Sequence, residues 1–288
     1  MKDLTLLDGA TGTSLWARSK DRNPVWTYNL TCPSTVRGLQ EDFIRTGAKI
    51  ICSNSFGANR PAVEASSDMD VLEVVRASVK IALEARDRMK AEGFDGVRVA
   101  LDFGPLSAML EPWGELSRED CRSIYAEVLE AGMKEGAEMI FLMTFMDLDM
   151  LAIAAEEAVK YGVPVFATMS FTEFGRTIMG NSPADMVTAL EPLGVAAMGV
   201  NCSLGPDKAL PILKDFASRT SLPLIFKPNA GLPILSGDGQ TANPCTPESF
   251  AAAFVPAFEY ATYVGGCCGT DPAYLEAIKR EIDKYISQ

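Results

Sequence analysis

The stretch Val195-Ala-Ala-Met-Gly-Val-Asn-Cys202 is an apolar run that ends on polar residues, and Gly205-Pro206 follows at once. Proline suits the first turn of a helix, where its missing N–H would have had no partner, so a strand here passes directly into a helix. The run Pro223-Leu-Ile-Phe-Lys-Pro-Asn229 then repeats the strand. The same alternation extends in both directions. Strands are expected at 4–8, 49–54, 97–103, 139–144, 164–171, 195–202, 223–229 and 262–267. Between them, apolar residues recur at helical offsets of three and four, as Val36, Leu39, Phe43 and Ile44 do within 35–45, and Leu72, Val75, Val79 and Leu83 within 69–89.

Punctuation agrees with the periodicity. Ser117 with Asp120 carries the order of a capping box, and Ser182-Pro183, Thr246-Pro247 and Asp271-Pro272 are further helix starts. Gly47, Gly136 and Gly162 stand just past helix ends, where a left-handed residue stops the helix. Strand–helix alternation with short loops implies a parallel sheet, and eight units in 288 residues favour an α/β fold of the single (β/α)8 TIM barrel type. One domain over 1–288 is expected, with loops at 54–68 and 104–116 over the barrel mouth. Asp147 reads as a helix cap, Asp8-Gly-Ala-Thr-Gly12 as a tight turn, and Ser236-Gly-Asp-Gly239 as turn chemistry.

The chain contains no histidine. That excludes Ser-His-Asp and Cys-His nucleophile systems, an imidazole general base and imidazole metal ligands. With 26 Lys and Arg against 38 Asp and Glu, the net charge is −12, and no basic stripe suggests a nucleic-acid partner. No segment reads as a membrane span or a secretory signal, and seven cysteines without such a signal imply a cytoplasmic protein with free or metal-bound thiols.

A barrel gathers chemistry where its strands end. Those ends hold Asp8, Asn54, Asp102, Thr144, Ser170, Asn201-Cys202, Asn229 and Gly265-Gly-Cys-Cys-Gly269. Cys202, Cys267 and Cys268 therefore fall at strand ends six and eight. Three thiolates suit Zn2+ over harder cations and leave its fourth position open, as a catalytic zinc requires. A vicinal pair filling an apolar gap fits the same residues, and Cys32, Cys52, Cys121 and Cys245, which lack metal spacing, read as ordinary thiols. Zinc would deprotonate a bound thiol without a histidine base, so alkyl transfer to sulfur is the reaction class the site suggests.

At these residues the sequence resembles the homocysteine S-methyltransferase family. The resemblance runs through Leu7-Asp-Gly-Ala-Thr-Gly-Thr13, Ser53-Asn-Ser-Phe56, Gly175-Arg176, Gly199-Val-Asn-Cys-Ser-Leu-Gly-Pro206, Pro228-Asn-Ala-Gly-Leu-Pro233 and Gly265-Gly-Cys-Cys-Gly-Thr270. It implies a zinc-bearing barrel with Cys202, Cys267 and Cys268 as both ligands and catalytic residues. It also implies substrate contacts from Asp8, Thr144, Asn201 and Asn229, with Asp8 at the substrate's amino group. The cobalamin-dependent methionine synthase branch is the most similar, through Met169-Ser-Phe-Thr-Glu-Phe-Gly-Arg176. Its methyl donor is methylcobalamin, and no segment here reads as a corrinoid or folate module, so a separate corrinoid protein is the implied partner.

One departure stands out. The family carries Glu-Thr at the end of strand four, with the Glu on the homocysteine ammonium, where this chain has Met143-Thr144. Losing such a charge-assisted contact costs about 1.5–3 kcal/mol, roughly 10- to 150-fold in affinity. Homocysteine is the expected acceptor. Another small thiol, a methyl sulfide demethylated in reverse, and a non-catalytic zinc-thiolate sensor are the alternatives.

Overall fold

The computed structural model describes residues 3–19, 21–231, 234–235, 241–242 and 245–288. The turn expected at Ser236–Gly239 lies outside the described residues, as do Met1 and Lys2 at the start and Leu232 and Pro233 of the 228–233 motif. Eight parallel strands form one sheet: β1 (Thr5–Leu6), β2 (Ile50–Cys52), β3 (Arg98–Phe103), β4 (Met139–Phe145), β5 (Val165–Met169), β6 (Ala197–Asn201), β7 (Leu224–Lys227) and β8 (Tyr263–Val264). Each pairs with its neighbour in chain order, β8 pairs with β1, and a Leu7–Ile50 bridge joins β1 to β2 and closes the ring. This is the (β/α)8 barrel that the alternation implied. A short antiparallel pair, Ile234–Leu235 with Thr241–Ala242, lies in the loop after β7.

The outer helices are α1 (Pro33–Arg45), α2 (Val71–Ala91), α3 (Arg118–Lys134), α4 (Leu148–Ala158), α5 (Pro183–Leu190), α6 (Pro206–Ala217), α7 (Pro247–Phe254) and α8 (Pro272–Ile286). Their starts fall where the caps indicated. Ser117, Asp147, Ser182, Thr246 and Asp271 each accept a hydrogen bond from the first helical turn, and each such cap stabilises its helix by about 1 kcal/mol. Gly47, Gly136 and Gly162 take φ of 101°, 106° and 67°, the left-handed stop expected of them.

Two expectations need correction. The 54–68 loop contains a helix, Arg60–Ser66, capped by the Asn59 side chain and opened by Pro61. Seven of the eight strands are also shorter than the apolar runs, while β4 extends one residue further, to Phe145. β8 ends at Val264 rather than at Cys267, and β6 ends at Asn201 because Cys202 has φ 61°, which takes the chain out of the ladder.

Strand alternation divides the core in two. Outward residues pack under the helices, while Leu7, Ile50, Cys52, Ala100, Met139, Phe141, Met143, Phe166, Ala197 and Ile225 fill the barrel's interior. Phe141 meets Phe166 edge-on at 5.7 Å, and Phe166 lies 4.4 Å from Tyr263, closing the barrel's floor. Above this floor the inward positions turn polar. Lys227, one step beyond Ile225 on the inner face of β7, is 1% exposed, and its ammonium reaches Asp8 Oδ1 at 2.5 Å. The second Asp8 oxygen accepts from Cys52 N–H at 2.7 Å.

Removing one partner of a buried ion pair leaves the other charged and dry, at about 3–5 kcal/mol, whereas neutralising both is far milder. Lys227→Ala is therefore expected to lose about that much stability in urea unfolding. The double variant Asp8→Asn/Lys227→Met should lose much less than the sum of its two single variants.

Candidate metal centre and substrate cavity

Cys202, Cys267 and Cys268 converge at the C-terminal ends of β6 and β8. Their sulfurs all lie within 4.8 Å of one another, and Cys202 Sγ stands 3.8 Å from Cys268 Sγ. Donors ~2.3 Å from one tetrahedral ion lie about 3.8 Å apart, so the donor set fits a single zinc. The three residues are half-buried, which leaves an approach open from the mouth.

Close packing shapes the loop that carries the pair. A Cβ on Gly265 would sit 2.8 Å from the Asp8 carbonyl oxygen, and one on Gly266 would collide with the Thr270 side chain. Gly269 takes φ 83°. Only glycine allows all three, and the loop is then pinned by Cys267 N–H to the Pro228 carbonyl at 2.9 Å and by Ala230 N–H to the Cys268 carbonyl at 3.0 Å.

Cys202 is held differently. It and Ser203 take φ of 61° and 55°, and Thr144 across the mouth takes 64°. Left-handed backbone in non-glycine residues costs about 1–3 kcal/mol each and persists only where contacts enforce it. Asn201 supplies those contacts at Thr144: its Oδ1 accepts from Thr144 N–H at 3.0 Å and its Nδ2 donates to Thr144 Oγ1 at 2.7 Å. The same amide lies 3.7 Å from Cys267 Sγ. Asn201 is fully buried and lies behind the cavity wall, bracing β4 against the sulfurs. Asn229 donates to Cys202, while its Oδ1 is buried without a partner.

The three thiols titrate as a unit. Cys202 takes the first negative charge, its pKa drawn far down by hydrogen bonds from Cys267 and Cys268 and then from Ser203 N–H and Asn229, against the effect of burial. Cys267 and Cys268 are correspondingly pushed up, chiefly by their hydrogen bonds to Cys202. Hydrogen bonding within the cluster thus favours a negative charge on Cys202. By contrast, burial pushes the thiols of Cys52 and Cys121 up, the latter to about 11, which leaves them as inert core residues.

A cavity of about 270 Å3 opens beside the sulfurs, lined by Gly9–Thr13, Trp16, Phe56, Asp8, Asp102, Met143, Thr144 and Lys227 as well as the three cysteines. Of the residues named as substrate contacts, Asp8, Met143 and Thr144 line the cavity, while Asn201 and Asn229 lie outside its lining beside the sulfurs. Two lining residues were not among the expected contacts. Lys227 holds its proton firmly, because the Asp8 charge outweighs the cost of burial. Asp102 is 7% exposed, its Oδ1 has no hydrogen-bond partner, and burial together with the nearby Asp8 charge raises its pKa well above 3.8.

A sequence profile of the homocysteine S-methyltransferases matches residues 5–282. The methionine synthase of Mycobacterium tuberculosis (strain ATCC 25618 / H37Rv) is 29% identical over 94% of this chain, and that of Mycobacterium leprae (strain TN) is 28% identical over 87%. The chain spans only 24% and 21% of those two proteins. Among solved structures, the Escherichia coli homocysteine methyltransferase MmuM in its metallated form superposes with a TM-score of 0.82 at 23% identity, covering 97% of this chain and 96% of that one. Its oxidized form gives 0.81 at 25% identity, covering the same shares.

Two measurements test the centre. Metal analysis of purified protein should find about one zinc per chain, since catalytic sites take three protein ligands, and Cys267→Ser should lose most of it. The second concerns Asp102. A folded chain that keeps this proton after the unfolded chain has released it loses stability as pH rises above 3.8 toward the raised value. Asp102→Asn should make the fall of Tm over that range shallower.

Proposed function

Because this chain belongs to the homocysteine S-methyltransferase family, we propose that it methylates the sulfur of homocysteine to give methionine, acting as one barrel domain over residues 1–288 in the cytoplasm. Zinc held by Cys202, Cys267 and Cys268 and a methylcorrinoid carried on a separate partner protein complete the proposal. The observation that carries it is the meeting of three sulfurs from two strand ends beside a cavity sized for a small thiol.

Zinc, when bound, would supply the deprotonation of the incoming thiol that no histidine is present to perform. Everything else falls to the chain. Gly9–Thr13, which open the helix Thr11–Ser19, line the cavity with backbone that suits a substrate carboxylate at a helix N-terminus. Asn201 and Asn229 fix the sulfurs, and Trp16, Phe56 and Met143 make the rest of the cavity apolar and exclude water. In the transfer, the substrate sulfur forms the new bond to the methyl carbon. The donor keeps the electron pair of the bond that breaks, and the thiol proton leaves to solvent.

Exposed apolar side chains on the mouth-side loops support a docking partner. Phe56 follows β2, Met109 and Trp113 follow β3, Met146 follows β4, and Phe174, Ile178 and Met179 follow β5; Trp113, Phe174 and Ile178 are each at least 75% exposed. Apolar surface of this kind around a cavity is typical of an interaction face. A reducing compartment is where three clustered thiols would stay reduced. The sensor alternative calls for a closed coordination sphere, and among the described residues the cluster has three donors.

A second reading keeps the chemistry and changes the acceptor. Met143 brings no charge and Lys227 already engages Asp8, which favours a thiol or methyl sulfide without an ammonium group. Incubation of zinc-loaded protein with methylcobalamin and homocysteine should yield methionine by mass spectrometry. Turnover of 3-mercaptopropionate with no methionine formed would replace the first reading by the second.

A further inference from the structure

We propose that Asp102 is the specificity-determining residue of the cavity, the carboxylate that receives the ammonium group of an amino-acid thiol. The proposal rests on the homocysteine reading above. Among the described residues, two carboxyl groups line the cavity, and only one is free to act. Asp8 has one oxygen on the Lys227 ammonium and the other on Cys52 N–H. Asp102 has a buried oxygen with no partner at all. A buried polar atom without a partner costs about 1–3 kcal/mol, so a group left in that state beside a cavity calls for a donor brought by the ligand.

Position and rigidity agree. Asp102 is paired in register with Phe141 of β4, whose next inward residue is Met143, so Asp102 stands beside the uncharged stretch of the wall. Its main chain is clamped from both sides: Ser53 Oγ accepts from Asp102 N–H at 3.1 Å, and Ser55 Oγ donates to the Asp102 carbonyl at 2.6 Å. The two hydroxyls also bond to each other at 2.6 Å. Loop residues therefore fix the backbone of Asp102 and leave its carboxyl uncommitted.

The charges decide which ligand group belongs there. Asp8 and Lys227 cancel, so an ionised Asp102 adds an unbalanced −1 that only a cation answers. Burial and the Asp8 charge disfavour that ionised form and raise the pKa of Asp102. An incoming ammonium stabilises the ionised form, and the Asp102 proton passes to solvent. A carboxylate or an uncharged group at the same place would gain nothing from Asp102.

Calorimetric binding to zinc-loaded protein tests this with two ligands that differ only in the ammonium, homocysteine and 4-mercaptobutanoate. Wild-type protein should bind homocysteine about 10- to 150-fold more tightly. In Asp102→Asn, which preserves size and shape, that preference should collapse to near unity through weaker homocysteine binding, with 4-mercaptobutanoate affinity and zinc content unchanged. Equal binding of the two ligands by the wild-type protein, or a preference that survives Asp102→Asn, overturns the proposal. Failure of the homocysteine reading itself is separate: it shows as absent methionine formation, whichever ligand binds more tightly.

Discussion

The buried pair between Lys227 and Asp8 governs the barrel mouth. It joins β7 to the end of β1 from within an interior that is otherwise apolar, and it sits over the Phe141 ring, 5.7 Å from Lys227 Nζ. Two charges so placed must either neutralise each other or destabilise the fold. Their pairing leaves the cavity with no net charge from its floor, so the cysteine cluster and Asp102 determine the electrostatics that a substrate meets. The main chain at Asp8 also shapes the loop after β8. β8 lies between β1 and β7 in the ring, and its continuation passes the Asp8 carbonyl so closely that Gly265 has no room for a side chain, while the Thr270 side chain leaves none at Gly266. Cys267 and Cys268 come immediately after that constriction, which delivers both sulfurs toward Cys202.

Much of this was legible in the sequence because the signals are local. Alternating strands, helical offsets, caps and left-handed glycines each need only a few neighbouring residues, and they located all eight units. The cysteine triad was legible for a topological reason. A parallel barrel brings every strand end to one face, so Cys202 and Cys267-Cys268 could be placed together despite a separation of 65 positions from Cys202 to Cys267.

What escaped reading depends on partners far away in the chain. Lys227 sits in Leu-Ile-Phe-Lys, where strand period two does place it inward with Ile225, but an inward lysine makes sense only beside Asp8, 219 residues earlier. Asp102 was visible as a strand-end acid, yet its unpartnered oxygen is a property of packing that no spacing reveals. The helix Arg60–Ser66 was missed because it is a single short segment without the repeated apolar stripe that marks longer helices, although Asn59 and Pro61 do signal its start. Strand ends were overestimated where the sequence stays apolar but the backbone turns left-handed, as at Cys202.

The same left-handed turns explain how a protein without histidine prepares a sulfur site. Thr144, Cys202 and Ser203 each adopt φ near 60°, and all three are at the mouth. Such strain, at about 1–3 kcal/mol per residue, needs a scaffold that enforces it. Here the scaffold is the buried amide of Asn201 on Thr144 and the Lys227 carbonyl, which accepts from Cys202 N–H at 3.0 Å. Turning the chain at Cys202 exposes its sulfur to hydrogen bonds from Cys267, Cys268, Ser203 and Asn229, and those donors hold a thiolate where burial alone would hold a thiol. Cys52 demonstrates the alternative on the neighbouring face of the same barrel: buried, near two carboxyl groups and without such donors, it keeps its proton. Backbone strain and donor placement therefore separate the clustered sulfurs, where a thiolate is favoured, from the buried thiols of Cys52 and Cys121.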